Sequence, residues 1–302
     1  MANAYLSLDV LKGTGALNVT GTVFDTRLRQ LSERVSREAD RYANRAFFWS
    51  IGTLYFDGGS EKAEVPSRTN TTSYIVGGAM FLQVPDLVAV TSLKEDTNLD
   101  GTYETTWAAT DYHLWPYNAQ PTKEWGRPYT RLMVNTRSDG TQDVFLGGQK
   151  NYQVVGTWGW WQLSGTSGRN GTLTDGVVTS LVFDGTVGGT IEAGHTVLID
   201  NELVYVTVGT ASAGTSVTVE RAVNNTTGTA HTNKAANLVQ YPGPVCEAVF
   251  IQVARLWKRK DSGFATEIGM PETGQLQVFR GLDSDVKRLL DPYRKLPVGI
   301  GI

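Results

Sequence analysis

The 302-residue chain has one cysteine, and it contains no long hydrophobic run. A single cysteine, Cys246, excludes an intrachain disulfide and therefore a small secreted domain held by disulfides. The opening stretch, MANAYLSLDVLKGTG, has neither the basic flank nor the apolar segment of a signal peptide. No apolar stretch approaches the roughly 20 residues that cross a bilayer. We therefore expect folding in a reducing compartment without a membrane anchor.

Charge is also sparse, since Asp, Glu, Lys and Arg make up 19% of the residues and the net charge is −3. A nucleic-acid-binding protein usually has a clustered cationic face, which this composition does not predict. A protein that only lets DNA pass could still have such a composition. The run Lys258-Arg259-Lys260 could contact phosphates. Cations at the end of a helix are, however, more often simply solvated.

The sequence lacks the spacings that carry catalysis or metal binding. His113, His195 and His231 are far from one another and from Cys246, so they predict no metal site. No G-x-S-x-G motif and no glycine-rich phosphate-binding loop occurs. We therefore expect no enzymatic activity and no cofactor. Cys246 is interpreted as a small core residue.

Four helices are predicted, near both ends of the chain. They cover about residues 5–12, 22–46, 241–260 and 282–290. The second has an apolar stripe at spacings of three and four residues. Its opposite face is interpreted as solvated, with Glu33 and Arg37 forming an i,i+4 pair; the other charged residues of that face are Arg27, Arg34 and Arg41.

Between these helices the sequence is typical of strands. Residues 51–161 alternate short β-type runs with turn residues, which predicts an antiparallel sheet with hairpins. Residues 163–240 are rich in Gly, Thr and Val and predict a small all-β module. The predicted fold class is α+β, in which helices from both chain ends cover the antiparallel sheet and the small β domain is inserted. The predicted domains are a core, 1–162 with 241–302, and the insertion, 163–240.

Two short motifs have alternative interpretations. Asp96, Asn98 and Asp100 precede Gly101 as in the opening of a calcium loop, but Trp107 stands where the closing glutamate belongs. A hairpin turn at Asp100-Gly101 is therefore favoured over a metal site.

The second motif is GTWGWWQ, with Trp158, Trp160 and Trp161. These rings could end a core strand, contact another protein, or stack on sugars. A receptor-binding or carbohydrate-binding β-protein is accordingly the alternative function.

The order of several segments resembles the head-to-tail adaptor (connector) family of tailed bacteriophages. The resemblance covers about residues 5–162 and 241–295. The segments that carry it are YLSLDVLK, NRAFF, TLYFDG, FLQVPDLVAVTSLKED, LDGTYE, DYHLWPYN, VVGTWGW, PGPVCEAVFIQVARLWKRKDSG and DVKRLLDPYRK. The inserted stretch resembles a β-module that recurs in phage structural proteins, through IDNELVYV, VTVERA and GTAH. On this basis Glu202, Arg221 and His231 are structural markers of the module.

The resemblance implies a structural virion protein at the head–tail interface, assembled in the host cytoplasm. Such proteins form a ring, typically of twelve copies, beneath the portal protein. The ring continues the DNA channel without sequence-specific binding and contacts a stopper or tail-completion protein. It also implies that the C-terminal segment docks on the portal, and the candidate interface residues are Tyr293, Arg294, Lys295, Trp158, Trp160 and Trp161.

The segment LPVGIGI, residues 296–302, has no charged side chain. Its larger residues alternate with glycines from Val298 onward, as in a strand that adds to a sheet edge of another chain. We therefore expect a portal-docking tail rather than a frayed terminus; the residues expected to dock are Leu296, Val298, Ile300 and Ile302.

Overall fold

The computed structural model describes most of the chain; the described ranges are 3–13, 16–59, 63–65, 73–75, 78–123, 126–137, 139–163, 170–184, 191–211, 215–259, 267–270, 274–277 and 281–295. Residues 296–302, the segment predicted to dock on a portal, lie outside them. The chain divides into two compact units. We name residues 48–162 the sheet unit, and residues 1–47 with 163–302 the barrel unit.

In the part of the chain that the structure describes, α-helices occupy four segments close to those predicted from the sequence. They are α1 (Leu8–Lys12), α2 (Asp25–Ala43), α3 (Gly243–Arg259) and α4 (Ser284–Leu290), with 3₁₀ turns at Val223–Asn225 and Asp291–Tyr293. Helix α2 ends at Asn44, whose φ of 52° is left-handed. Asparagine tolerates this conformation better than most residues, which favours the helix end at that position.

The sheet unit is built on antiparallel strands. Its strands are β1 (Ser50–Phe56), β2 (Ala63–Val65), β3 (Ser73–Ile75), β4 (Gly78–Ala79), β5 (Phe81–Glu95), β6 (Thr105–Trp107), β7 (Tyr112–Trp115), β8 (Tyr129–Val134), β9 (Phe145–Leu146) and β10 (Tyr152–Trp158); β11 (Gln162–Leu163) follows at its boundary. The main sheet has the order β1-β10-β5-β8-β7, with β6 also paired to β5. Strand β10 alternates buried and half-buried residues, as a period of two predicts.

A closed barrel forms the centre of the barrel unit. The strands of the whole unit, of which six form the barrel, are β12 (Asn170–Leu173), β13 (Ser180–Asp184), β14 (Ile191–Glu192), β15 (Thr196–Ile199), β16 (Glu202–Val208), β17 (Thr210–Ala211), β18 (Ser216–Glu220), β19 (His231–Gln240), β20 (Glu267–Met270) and β21 (Gly274–Gln277). The order β19-β12-β13-β18-β16-β15 closes because β15 also pairs with β19. Its core contains Leu181, Phe183, Val204 and Val217, among others. Closure leaves none of these six strands as a free edge.

The helices belong to the same unit as the barrel. Leu8 of α1, Leu28 of α2 and Trp257 of α3 share a buried apolar cluster with Ala193, which precedes β15. The amide of Leu8 also donates to the carbonyl of Ala193 at 2.9 Å. The helices therefore pack within the barrel unit.

Polar contacts fix α2 and the chain start to the barrel. The Tyr205 hydroxyl of β16 donates to Glu33 Oε1 of α2 at 2.9 Å. The amide groups of Asn3 and Asn224 exchange hydrogen bonds at 2.7 and 2.9 Å. The predicted Glu33–Arg37 surface pair is wrong, because Glu33 is buried and is paired with Arg29 and Tyr205. Arg37 instead contacts Asp40.

The predicted α+β fold class is wrong, since the chain is mostly β. Both large cores are made from strand residues, one inside the barrel and one on the main sheet. The physical reason is that the apolar faces of the four helices bury far fewer residues than the interior of the barrel and the face of the sheet. The helices add a layer to one unit and do not define the architecture.

No α-helix within the described ranges is both long enough and apolar enough to span a membrane.

Candidate functional site

The chain end is attached to the end of α2. The Lys295 amide donates to the Ala43 carbonyl at 2.8 Å, and the Asn44 side-chain amide donates to the Lys295 carbonyl at 3.2 Å. Because these bonds use the last carbonyl of α2 and the side chain of its left-handed cap residue, the helix end holds Lys295 in place. We name this contact, made by Tyr42, Ala43, Asn44 and residues 291–295, the tail anchor.

Side chains reinforce the tail anchor. The Tyr42 hydroxyl donates to Asp291 Oδ1 at 2.7 Å, and that bond is the main cause that raises the pKa of Tyr42. The Arg294 guanidinium lies 5.1 Å from the centre of the Tyr42 ring. Tyr293 packs edge-on against Phe47, with 5.9 Å between ring centres. The three predicted interface residues Tyr293, Arg294 and Lys295 are thus brought together, directly before the segment predicted to dock.

The tryptophan motif lies mainly in the interior of the sheet unit. Trp158 is 6% exposed and Trp161 3% exposed. The Trp161 ring stacks on Trp49 with 3.8 Å between centres. Trp160 is half-buried and donates to the Gly126 carbonyl at 3.0 Å. A sugar platform or a protein interface at this motif would therefore have to use Trp160, the only one of the three with appreciable exposure.

The calcium-like sequence forms a turn that is closed by its own hydrogen bonds. The buried carboxylate of Asp96 accepts from the amides of Asp100 and Gly101, at 3.2 and 2.7 Å. The amide of Thr102 donates to Asp100 Oδ1, and this bond is the main cause that lowers the pKa of Asp100. Asn98 accepts from the Asp100 amide at 3.0 Å. The arrangement suits the hairpin interpretation.

Sequence reasoning missed Glu104 at this turn. The carboxylates of Asp96, Asp100 and Glu104 lie within 4.8 Å of one another. The spacing of Glu104, three residues after Gly101, was the available signal. Trp107, at the position of the expected glutamate, is instead a core residue that donates to Glu95 at 2.9 Å.

A cluster of charged and polar residues around the buried Glu202 and His231 joins four parts of the barrel. Glu202, at the start of β16, accepts from Arg221 Nε at 2.6 Å and from Nη2 at 2.7 Å, a bidentate ion pair. It also accepts from the Thr229 amide, and His231 Nε2 lies 2.9 Å from the same oxygen. His231 Nδ1 contacts Asp200 Oδ2 at 3.1 Å. We name Asp200, Glu202, Arg221, Thr229 and His231 the barrel clasp.

The electrostatics of the barrel clasp suit a structural role. Burial alone would raise the pKa of Glu202, but hydrogen bonds from Arg221, Thr229 and His231 lower it to about 2. Arg221 also donates to the carbonyls of Asp175 and Val178, at 2.8 Å each. All these partners are internal to the barrel, so the cluster connects its loops.

Cys246 lies on α3 next to the first residues of the chain. Its thiol donates to the Tyr5 carbonyl at 3.3 Å, and burial raises its pKa to about 11. A thiol with such a pKa is a poor nucleophile at neutral pH, because the reactive species is the thiolate.

No protein-family model matches the chain, and no curated protein or solved structure matches it either.

Proposed function

We propose that the protein is a structural, non-enzymatic component of a tailed-phage neck. In this role, copies form a ring between the portal protein and the next neck or tail component, and the ring continues the DNA channel. The order of segments that resembles the adaptor family supports the proposal. The single structural observation that carries it is the tail anchor.

The tail anchor fixes the residue from which the proposed docking segment extends. The backbone of Lys295 makes two hydrogen bonds at the end of α2, one to the Ala43 carbonyl and one from the Asn44 side-chain amide. Helix α2 is in turn held to the barrel by Glu33 and Tyr205. Force transmitted through residues 296–302 would therefore reach a packed unit, as an attachment device requires.

The docking segment suits strand addition to a partner sheet. Main-chain hydrogen bonds supply affinity in this mode, and alternate side chains fill pockets. Leu296, Val298, Ile300 and Ile302 would face one side, while Gly299 and Gly301 would allow close approach on the other. A single ordered segment binds weakly because ordering costs entropy. A ring of such segments offsets that cost through multivalency.

Deletion of residues 296–302 tests the proposal. We expect the truncated protein to keep its circular dichroism spectrum and melting temperature, and to lose binding to purified portal rings in sedimentation. A control that replaces the segment with seven Gly and Ser residues keeps its length and should also fail to bind. Portal binding by both variants at the level of the intact protein would contradict the docking role.

Immunogold labelling of purified particles tests the location separately. Label at the head–tail junction is the expected result. Label at the distal end of the tail would contradict the adaptor role and favour the receptor-binding alternative.

A further inference from the structure

The five arginines of α2 fall into two groups. Arg29 forms an ion pair with Glu33, and Arg37 lies 3.2 Å from Asp40 and donates to the Asn3 carbonyl. Both are half-buried. The remaining arginines are exposed and form no ion pair with any residue in the described ranges; they are Arg27, Arg34 and Arg41. We name these three the arginine row.

The arginine row follows one face of the helix. Its members are seven residues apart, which is nearly two turns and drifts by only about 20° per step. At a rise of about 1.5 Å per residue, neighbouring positions are about 10.5 Å apart and the row spans about 21 Å. The spacing is equal in both steps, so the row is an even array of cations that turns only slightly about the helix axis.

Acidic side chains neutralise the positive charge of this helix face only in part. Glu38 lies between Arg34 and Arg41, four residues after the first and three before the second, and is half-buried. Arg294 of the tail anchor adds a cation beside Tyr42. Its guanidinium lies 4.0 Å from the Asp291 carboxylate. Exposed cations that no acidic residue of the described ranges pairs with are available to an anionic partner.

We propose that the arginine row binds phosphates of duplex DNA without sequence specificity. Phosphates recur at regular intervals along a duplex, so an even row of guanidiniums can contact them in any register. Guanidinium also matches phosphate geometry through bidentate hydrogen bonds. An acidic protein surface would fit an irregular set of cations equally well. The choice of DNA among polyanions rests on the proposed function, in which DNA passes the ring.

Binding through three phosphate contacts is weak and strongly salt-dependent. Each contact contributes about −0.9 to the slope of log K against log salt, so the row contributes about −2.7. That slope corresponds to about a 40-fold loss of affinity between 50 and 200 mM salt. Such contacts let DNA slide, which suits a channel that does not grip its cargo.

The test uses the isolated full chain and a fluorescent 30-base-pair duplex, with anisotropy measured between 20 and 200 mM NaCl. We expect R27Q/R34Q/R41Q to keep its melting temperature and to lose up to about 2.7 of the salt slope. The control triple variant, K123Q/R127Q/K234Q, makes the same change in net charge at exposed positions elsewhere. It should keep the slope of the intact protein.

A second variant strengthens the test without removing an arginine. E38Q removes the carboxylate between Arg34 and Arg41 and should raise DNA affinity. An unchanged slope in the arginine triple variant, or an equal loss in the control variant, would overturn the proposal. Equal binding of polyglutamate would instead indicate an acidic protein partner. None of these outcomes depends on portal attachment, so they do not decide the proposed function.

Discussion

The hydroxyl of Tyr205, inside the barrel wall, donates to the carboxylate of Glu33 on α2 across 172 residues of sequence. Burial and the Glu33 charge raise the pKa of Tyr205, so the hydroxyl stays protonated and remains a donor. Arg29 shares the same Glu33 oxygen. This three-residue contact joins the first long helix to the barrel.

Replacing Tyr205 with phenylalanine should weaken that junction. The variant leaves a buried carboxylate with one donor fewer, and a hydrogen bond to a charged group contributes about 1.5–3 kcal/mol. We expect the free energy of unfolding to fall by about 2 kcal/mol in urea titrations followed by circular dichroism. Tyr42→Phe removes a more exposed hydroxyl bond, to Asp291, and should cost less than about 0.5 kcal/mol. Equal losses in the two variants would contradict the special role of the junction.

The barrel clasp should make stability depend on acid pH. The pKa of Glu202 is lowered to about 2 in the folded state, from an ordinary value of 4.5. A lowered carboxyl pKa stabilises the fold above pH 4.5, and this stabilisation is lost as pH falls from about 4.5 towards 2.

Comparison of the intact protein with Glu202→Gln at several pH values measures that contribution. The difference in unfolding free energy should be about 2 kcal/mol at pH 6 and should shrink steadily below pH 4.5. Glu220→Gln, at an exposed position of β18, is the matched control and should show no such trend. A pH-independent difference would show that Glu202 acts through packing alone.

Truncation of two residues of the tryptophan motif should lower the free energy of unfolding by different amounts. Trp158→Ala opens a cavity in the sheet core and should cost about 3–5 kcal/mol. Trp160→Ala removes a half-buried ring and should cost about 1 kcal/mol. Urea titration followed by circular dichroism compares the two. A glycan array adds a separate readout, and loss of sugar binding in the Trp160 variant would support the carbohydrate-binding alternative.

The turn at Asp96 should be stabilised without metal. Asp96→Ala removes the acceptor of two amide hydrogen bonds and should cost about 1–2 kcal/mol. We expect the same loss in 1 mM calcium and in 1 mM EDTA, measured by thermal melting. Thr97→Ala is the control at a neighbouring exposed position. A rise in the melting temperature of the intact protein on adding calcium would favour the metal-loop interpretation instead.

Local elements were largely predictable from the sequence, and their tertiary partners were not. The stripe through Leu28, Val35 and Ala39 located α2 correctly, because burial of one face fixes a period of 3.6 residues. The same pattern gave no information on what covers the stripe. The sequence therefore predicts helices that cover the sheet, whereas the helices cluster with the barrel.

The candidate site shows the same limit. Glu33 was placed on a solvated face because its partner Tyr205 lies far away in sequence. The tail anchor depends on Asn44 and Lys295, which are 251 residues apart and share no local pattern. Glu104 is different, since its spacing after Gly101 is visible in the sequence, whereas the calcium-loop pattern places the closing glutamate at position 107.

The division of the chain has a consequence for synthesis. The sheet unit is one continuous segment, so it can fold as soon as residue 162 has left the ribosome. The barrel unit is discontinuous, and the barrel closes only when β19 pairs with both β12 and β15. The N-terminal helices must therefore wait for strands that are made well over a hundred residues later. During that interval the apolar face of α2 is an exposed surface that a chaperone can cover.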